Sequence, residues 1–174
     1  MSQRLILQNN MKKGLIIIIA IVVILGIYSV STYNSLVGLN VTADTEWKQV
    51  ETQYQRRFDL IPNLVESVKG SMKQEQTIFT AIADARTKYS GAKTPDEKAA
   101  AAGQVESALS RLLVISENYP NLKSSDTVQA LMSQLEGTEN RINVQRMRYN
   151  DVVKSYNLKV MRFPSSIIAS MFGF

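Results

Sequence analysis

The chain reads as an all-α membrane protein, with a single amino-terminal transmembrane helix continuing into an extended antiparallel four-helix bundle. Three observations predict this. An apolar, charge-free run from Gly14 to Val30 has the length of a bilayer-crossing helix. The remainder repeats apolar residues at spacings of three and four, with no useful stretch of the alternation that strands need. The 174 residues include neither cysteine nor histidine, so there is no disulfide framework, no lipoprotein attachment site and few of the side chains that metal and catalytic sites use.

The elements follow in order. Residues 1–13 form a short flank, and Met11-Lys12-Lys13-Gly14 resembles an ordinary chain start, so the residues before Met11 read as an extension without structural role. Residues 14–33 form the anchor, with Ser29 to Tyr33 in the headgroup zone. A cleaved signal peptide is the rival reading, but Ser29-Val30-Ser31 matches a cleavage site only weakly. Arg4, Lys12 and Lys13 precede the span, whereas Asp44, Glu46 and one Lys48 are the first charges after it. The positive-inside rule then holds the amino end in the cytoplasm and puts the body on the periplasmic or extracellular side of the bacterial inner membrane.

Residues 34–163 form the bundle, with coiled-coil-type seams. Val37, Val41, Trp47, Val50, Tyr54 and Phe58 continue the helical period, so the anchor runs into the first body helix without a linker. That helix is expected to stop near Phe58, because Pro62 lacks an amide donor and clashes with the preceding turn; a second helix then runs from Pro62 to about Ser90. Thr94-Pro95-Asp96-Glu97 spells a capping box with proline at the first helical position. The third helix ends at Tyr119-Pro120-Asn121, and Asp126 opens a fourth that persists to Phe163-Pro164.

Charge excludes one class of partner. Three of the twenty basic residues lie at or before Lys13 and all fifteen acids lie after it, leaving seventeen bases against fifteen acids, a net of +2. Such a body has no electrostatic footprint for nucleic acid. It has roughly 140 residues, enough for one domain with a real core.

Candidate chemistry is sparse. Glu66, Glu75, Glu117 and Glu139 lie on expected bundle helices, but di-metal bundles use Glu-x-x-His pairs and histidine is missing. No metal, cofactor or catalytic residue is expected, since a serine nucleophile would also lack its usual base. Arg56-Arg57-Phe58-Asp59 is the densest charge cluster, placed by the proline break at a bundle end. Arg56 and Arg57 are candidates for an anion or partner contact; alternatively an arginine pairs with Asp59 or covers helix-end carbonyls. Tyr149 and Tyr156 share a face, either packed in a seam or open to a peptide. In the tail, residues 164–174, the apolar Ile167, Ile168, Met171, Phe172 and Phe174 suit a membrane interface or a groove on another subunit, the alternative being a tail folded onto its own bundle.

The strings RRFDLIPNLVESVKG (Arg56 to Gly70), ADART (Ala83 to Thr87), ALSRLLVISENYPNLKS (Ala108 to Ser124), LEGTENRINVQRMRYNDVVKSYN (Leu135 to Asn157) and RFPSSIIASMFGF (Arg162 to Phe174) closely resemble the LemA family of bacterial membrane proteins. The resemblance covers nearly everything from Tyr33 onward. It implies an extended four-helix bundle on one membrane helix, with no established enzymatic activity and no catalytic residues to carry over. A relative among proteins that help form magnetosome membranes hints at membrane organisation. The expected function is a non-catalytic scaffold at the membrane that self-associates as a homo-oligomer or organises partners, these being the lipid bilayer and other membrane proteins. The alternative is an accessory or sensor subunit relaying a signal to a separate membrane enzyme.

Overall fold

The computed structural model describes the backbone from Ser2 to Phe174 and the side chains from Lys13 onward, Lys123 apart. The charged flank side chains Arg4 and Lys12 therefore lie outside the described residues. The elements are α1 (Ser2–Lys69), α2 (Gln76–Gly91), α3 (Pro95–Ser116), α4 (Pro120–Lys123), α5 (Asp126–Met161) and α6 (Ser165–Phe172). No strand occurs among the described residues.

The anchor does pass into the body without a linker, but α1 does not stop near Phe58. It runs through Pro62 to Lys69, and this corrects the expected break. An interior proline costs about 3 kcal/mol. Against that, Phe58, Ile61, Leu64 and Val68 are all buried, and each such side chain contributes about 1.5–3 kcal/mol. Pro62 itself lies on the exposed face. The first real break comes at residues 70–75, where the amides of Ser71 and Met72 both donate to the Val68 carbonyl and Glu75 N–H donates to Met72. Met72 is completely buried, which ties this turn to the core.

The expected boundary before α3 is present in full. The Thr94 hydroxyl accepts from Glu97 N–H at 3.2 Å, while the Glu97 carboxylate accepts from the amides of Thr94 at 3.1 Å and Lys93 at 2.8 Å. These two backbone hydrogen bonds hold the Glu97 carboxyl below the usual range. α3 ends at Ser116, three residues earlier than expected, and Pro120 starts the single turn of α4. α5 is interrupted before Pro164, and Gly173 closes α6 in the left-handed region at φ 75°, where glycine carries no Cβ penalty.

The chain divides into two compact units, one of residues 1–44 and 150–174 (unit 1), the other of residues 45–149 (unit 2). Unit 2 has an aliphatic core drawn from α1 (Val50, Ile61, Leu64), α2 (Ile78, Ile82), α3 (Val105, Leu112) and α5 (Val128, Ile142). Its helices are tied at the sides by Trp47 on Tyr149, with ring centroids 5.2 Å apart, and by the Lys98–Glu51 ion pair. Small residues, Ala85 on α2 and Ala101, Ala102 and Ala108 on α3, are buried in the same unit. Unit 1 is built differently. Among the described residues Thr32, Leu36, Ser165, Ile168 and Ala169 are buried there, and every leucine, isoleucine and valine from Leu15 to Val30 is exposed.

Candidate functional site

In unit 2, successive residues on α1 take opposite roles because each step turns the helix by about 100°. Arg56 faces outward. Arg57 is only 6% exposed, and its Nη1 lies 2.5 Å from Oε2 of Glu139 on α5. Because α1 continues past them, these arginines lie in mid-helix and not at a bundle end. Asp59 is engaged locally, accepting from Gln55 Nε2 at 2.9 Å, so the pairing considered for Asp59 is taken by Glu139 instead. Asn143, one turn further along α5, donates to the other Glu139 oxygen at 3.1 Å.

The pair borders a groove of about 690 Å³ between α3, α4 and α5, with Arg57 and Leu64 of α1 contributing to its lining. Leu109, Leu113, Val128, Met132 and Leu135 supply apolar surface, and Glu106, Glu117, Glu136 and Glu139 surround it. Arg57 Nε has no hydrogen-bond partner. Burying an ion pair is costly unless its remaining hydrogen-bonding positions are filled, so this pair adds little net stability.

Tyr54, Tyr89 and Tyr149 are held in aromatic contacts of unit 2. Tyr54 and Tyr89 pack with Phe58, whose ring is 4.4 Å from Tyr89. Desolvation, reinforced by Glu51 and Tyr54, pushes the Tyr89 phenol up to about 12. Burial likewise raises Tyr54 and Tyr149, the latter with a contribution from Asp96. All three stay protonated at neutral pH. Among the described residues no three acidic side chains come together as an ion-holding group; Glu66, Glu75, Glu117 and Glu139 are not assembled.

In unit 1 the tail forms α6, apolar on two sides. Residues 165, 168, 169 and 172 share one stripe; Ile168 and Ala169 are buried, and the rings of Phe172 and Phe174 meet Tyr33 edge-on at 4.9 and 5.6 Å. Tyr33 stands three residues past the apolar run. The Ser165 hydroxyl fixes the start of α6 by donating to the carbonyls of Lys159 and Arg162, and Lys159 donates to Ser35. The other side stays open: Ile167 and Met171 of α6 are 52% and 72% exposed, and Phe163, in the turn before it, is 81% exposed. Ile168 is thus buried in unit 1, Phe172 and Phe174 touch Tyr33 although Phe172 stays 57% exposed, and Ile167 and Met171 face out. Sequence periodicity did not single out Tyr33 or Glu139 as partners, because pairings between residues 139 and 82 positions apart leave no local spacing signal.

Within α1, an 18-residue window is apolar enough and long enough to cross a membrane, and none of it is buried. Together with the helical body this defines an all-helical, membrane-associated type of protein. The LemA family model matches residues 46–174, and the chain belongs to that family. It is also similar to magnetosome proteins MamQ 2 and MamQ 1 of Paramagnetospirillum magneticum and MamQ of Magnetospirillum gryphiswaldense. Each is 27% identical over 168 aligned residues, a match covering 82% of this chain and 62% of the relative. The chain therefore spans less than two thirds of the length of these relatives.

Proposed function

We propose that this protein is a non-catalytic scaffold of the bacterial inner membrane that self-associates and organises partners there. A single span over residues 14–33 anchors it, with the amino end cytoplasmic and the body, an antiparallel four-helix bundle, on the far side. α6 adds a second, shallow contact with lipid. The observation that carries this reading is the open apolar surface of Ile167 and Met171 on α6, with Phe163 in the turn before it, on a helix whose other side meets Tyr33. A short helix apolar on both sides needs two apolar neighbours, and lipid at the end of the span supplies the second. The likeness to magnetosome proteins supports a role in membrane organisation.

The test separates the two stripes. With an environment-sensitive fluorophore at Ser170→Cys, the full chain in vesicles carrying brominated lipid is expected to show strong quenching. Ile167→Asp with Met171→Asp is expected to reduce that quenching while preserving helicity and the Tyr33 contact. Unchanged quenching would remove the lipid contact, and a chain that stays monomeric in those vesicles at every surface density would remove self-association.

A further inference from the structure

The groove of unit 2 has an excess of negative charge among the described residues. Four glutamates line it against a single described cation, Arg57, which Glu139 already neutralises. Among the described residues, no cation lies within ion-pair distance of Glu106, Glu117 or Glu136. Leu113 and Val114, at 46% and 68% exposed, form an apolar lip. The site is thus apolar in its lining and acidic at its rim, and Arg57 Nε, a donor on a side chain more than nine-tenths buried, is left without a partner.

Unit 2 also carries the complement of this surface. On α5, Arg141, Val144 and Arg148 recur at spacings of three and four, and Met147 adjoins them. All four are exposed, on the side of the helix opposite the buried Ile142. Val144 and Met147 are 41% and 59% exposed, and no carboxylate pairs with either arginine among the described residues. This stripe is apolar in the middle and basic at its edges. We propose that the acidic groove of one copy receives the Arg141–Val144–Met147–Arg148 stripe of a second copy, with Leu113 and Val114 meeting Val144 and Met147 while Glu117 and Glu136 face the arginines. The proposal rests on the self-association reading and names the contact that produces it.

Charge complementarity is the argument for this occupant: one pairing satisfies two unpartnered surfaces of opposite sign and matching apolarity. Rim ion pairs are individually weak, which suits an anchored protein. Copies confined to one membrane meet at high effective concentration, so a contact too weak to hold free subunits together can still order anchored ones.

The absence of native cysteine gives a clean test. Full chains bearing Val114→Cys and Val144→Cys, carrying tags of different size, are co-reconstituted in phosphatidylcholine–phosphatidylglycerol vesicles and oxidised. Mixed-tag disulfide dimers are expected to exceed those from either variant alone by about fivefold, since the two positions meet only across the contact. Adding Arg141→Glu and Arg148→Glu to the Val144→Cys chain should cut the mixed product about tenfold, and Glu117→Lys with Glu136→Lys on the Val114→Cys chain should restore it. All four reversed residues are exposed, so circular dichroism should be unchanged. Lysine cross-linking of the unmodified chain in the same vesicles separates the failures. Oligomers without mixed-tag excess, or excess indifferent to charge reversal, overturn the groove contact alone; a strictly monomeric chain overturns self-association as well.

Discussion

Along α1 the same residue types are used in opposite directions. From Leu15 to Val30 every leucine, isoleucine and valine is more than half exposed, whereas Val50, Ile61, Leu64 and Val68 are at most 1% exposed. Nothing in the backbone distinguishes the two stretches. The difference lies in the pattern around them: the first is apolar on all faces, and the second alternates apolar with charged residues at the helical period. A helix apolar all round seeks a surrounding apolar medium, and an amphipathic one seeks partner helices. Unit 1 therefore leaves its apolar run exposed, as a membrane-associated helix would, while unit 2 carries its own core. That distinction predicts which substitutions remove the protein from the membrane and which unfold its body.

The largest effect is expected in the span. Replacing Ile19 and Val23 together by lysine should abolish membrane retention, since each centrally placed charge costs about 3 kcal/mol on insertion scales. Carbonate-washed fractions would report this, while the body released should keep its helicity. Retention unchanged by both lysines would dissolve the contrast between the two stretches of α1.

The second effect belongs to unit 2 and leaves fractionation alone. Glu139→Ala strands Arg57 as an uncompensated charge in the interior, with an expected loss of about 3 kcal/mol, whereas Arg57→Met with Glu139→Leu should stay within about 1 kcal/mol of the parent. Denaturant unfolding in detergent measures both. Equal losses in the two variants would mean that the pair itself is strongly stabilising, contrary to the burial argument.

How far each feature could be read from the residues follows the same division. The long apolar helix, the capping box at Thr94 and the start of α5 were legible because each is written within one local window. Pro62 misled because its local cost is outweighed by the burial of Phe58, Ile61, Leu64 and Val68, a tertiary effect that a propensity rule does not see. The turn at residues 70–75 has only Gly70 and Ser71 to mark it. In the candidate sites, the apolar tail was visible by composition, but its seat on Tyr33 was not. Arg57 stood out by charge density; its burial against Glu139, and the groove beside them, required the fold.

A smaller effect is expected at the α3 boundary. Thr94→Ala removes the hydroxyl that accepts from Glu97 N–H and should cost about 1 kcal/mol. Glu97 has a depressed carboxyl pKa, so its contribution is present above the unfolded carboxylate range and disappears as pH falls through the folded value. A thermal scan series from pH 6 downward should therefore show a step in the parent that shrinks in Glu97→Gln. Identical acid profiles would mean that the box is formed without contributing to the charged state.

The smallest effect is alkaline and tests whether the core of unit 2 excludes water at its aromatic side. Tyr89 has its phenol raised to about 12 chiefly by desolvation, with Glu51 and Tyr54 adding to the shift. The unfolded phenol ionises near the ordinary value of about 10, so between those pH values the folded state holds its proton more tightly than the unfolded state. Stability from this group is complete below the unfolded value and is lost as pH rises through the folded one. Tyr89→Phe keeps the ring against Phe58 but has no proton to lose. Its neutral-pH stability should match the parent within about 0.5 kcal/mol, a surface-scale change, and its decline between pH 10 and 12 should be shallower. Chemical unfolding across that interval provides the comparison, and parallel slopes would show that the aromatic side of unit 2 is open to solvent and that the exclusion of water attributed to this core stops short of Tyr89.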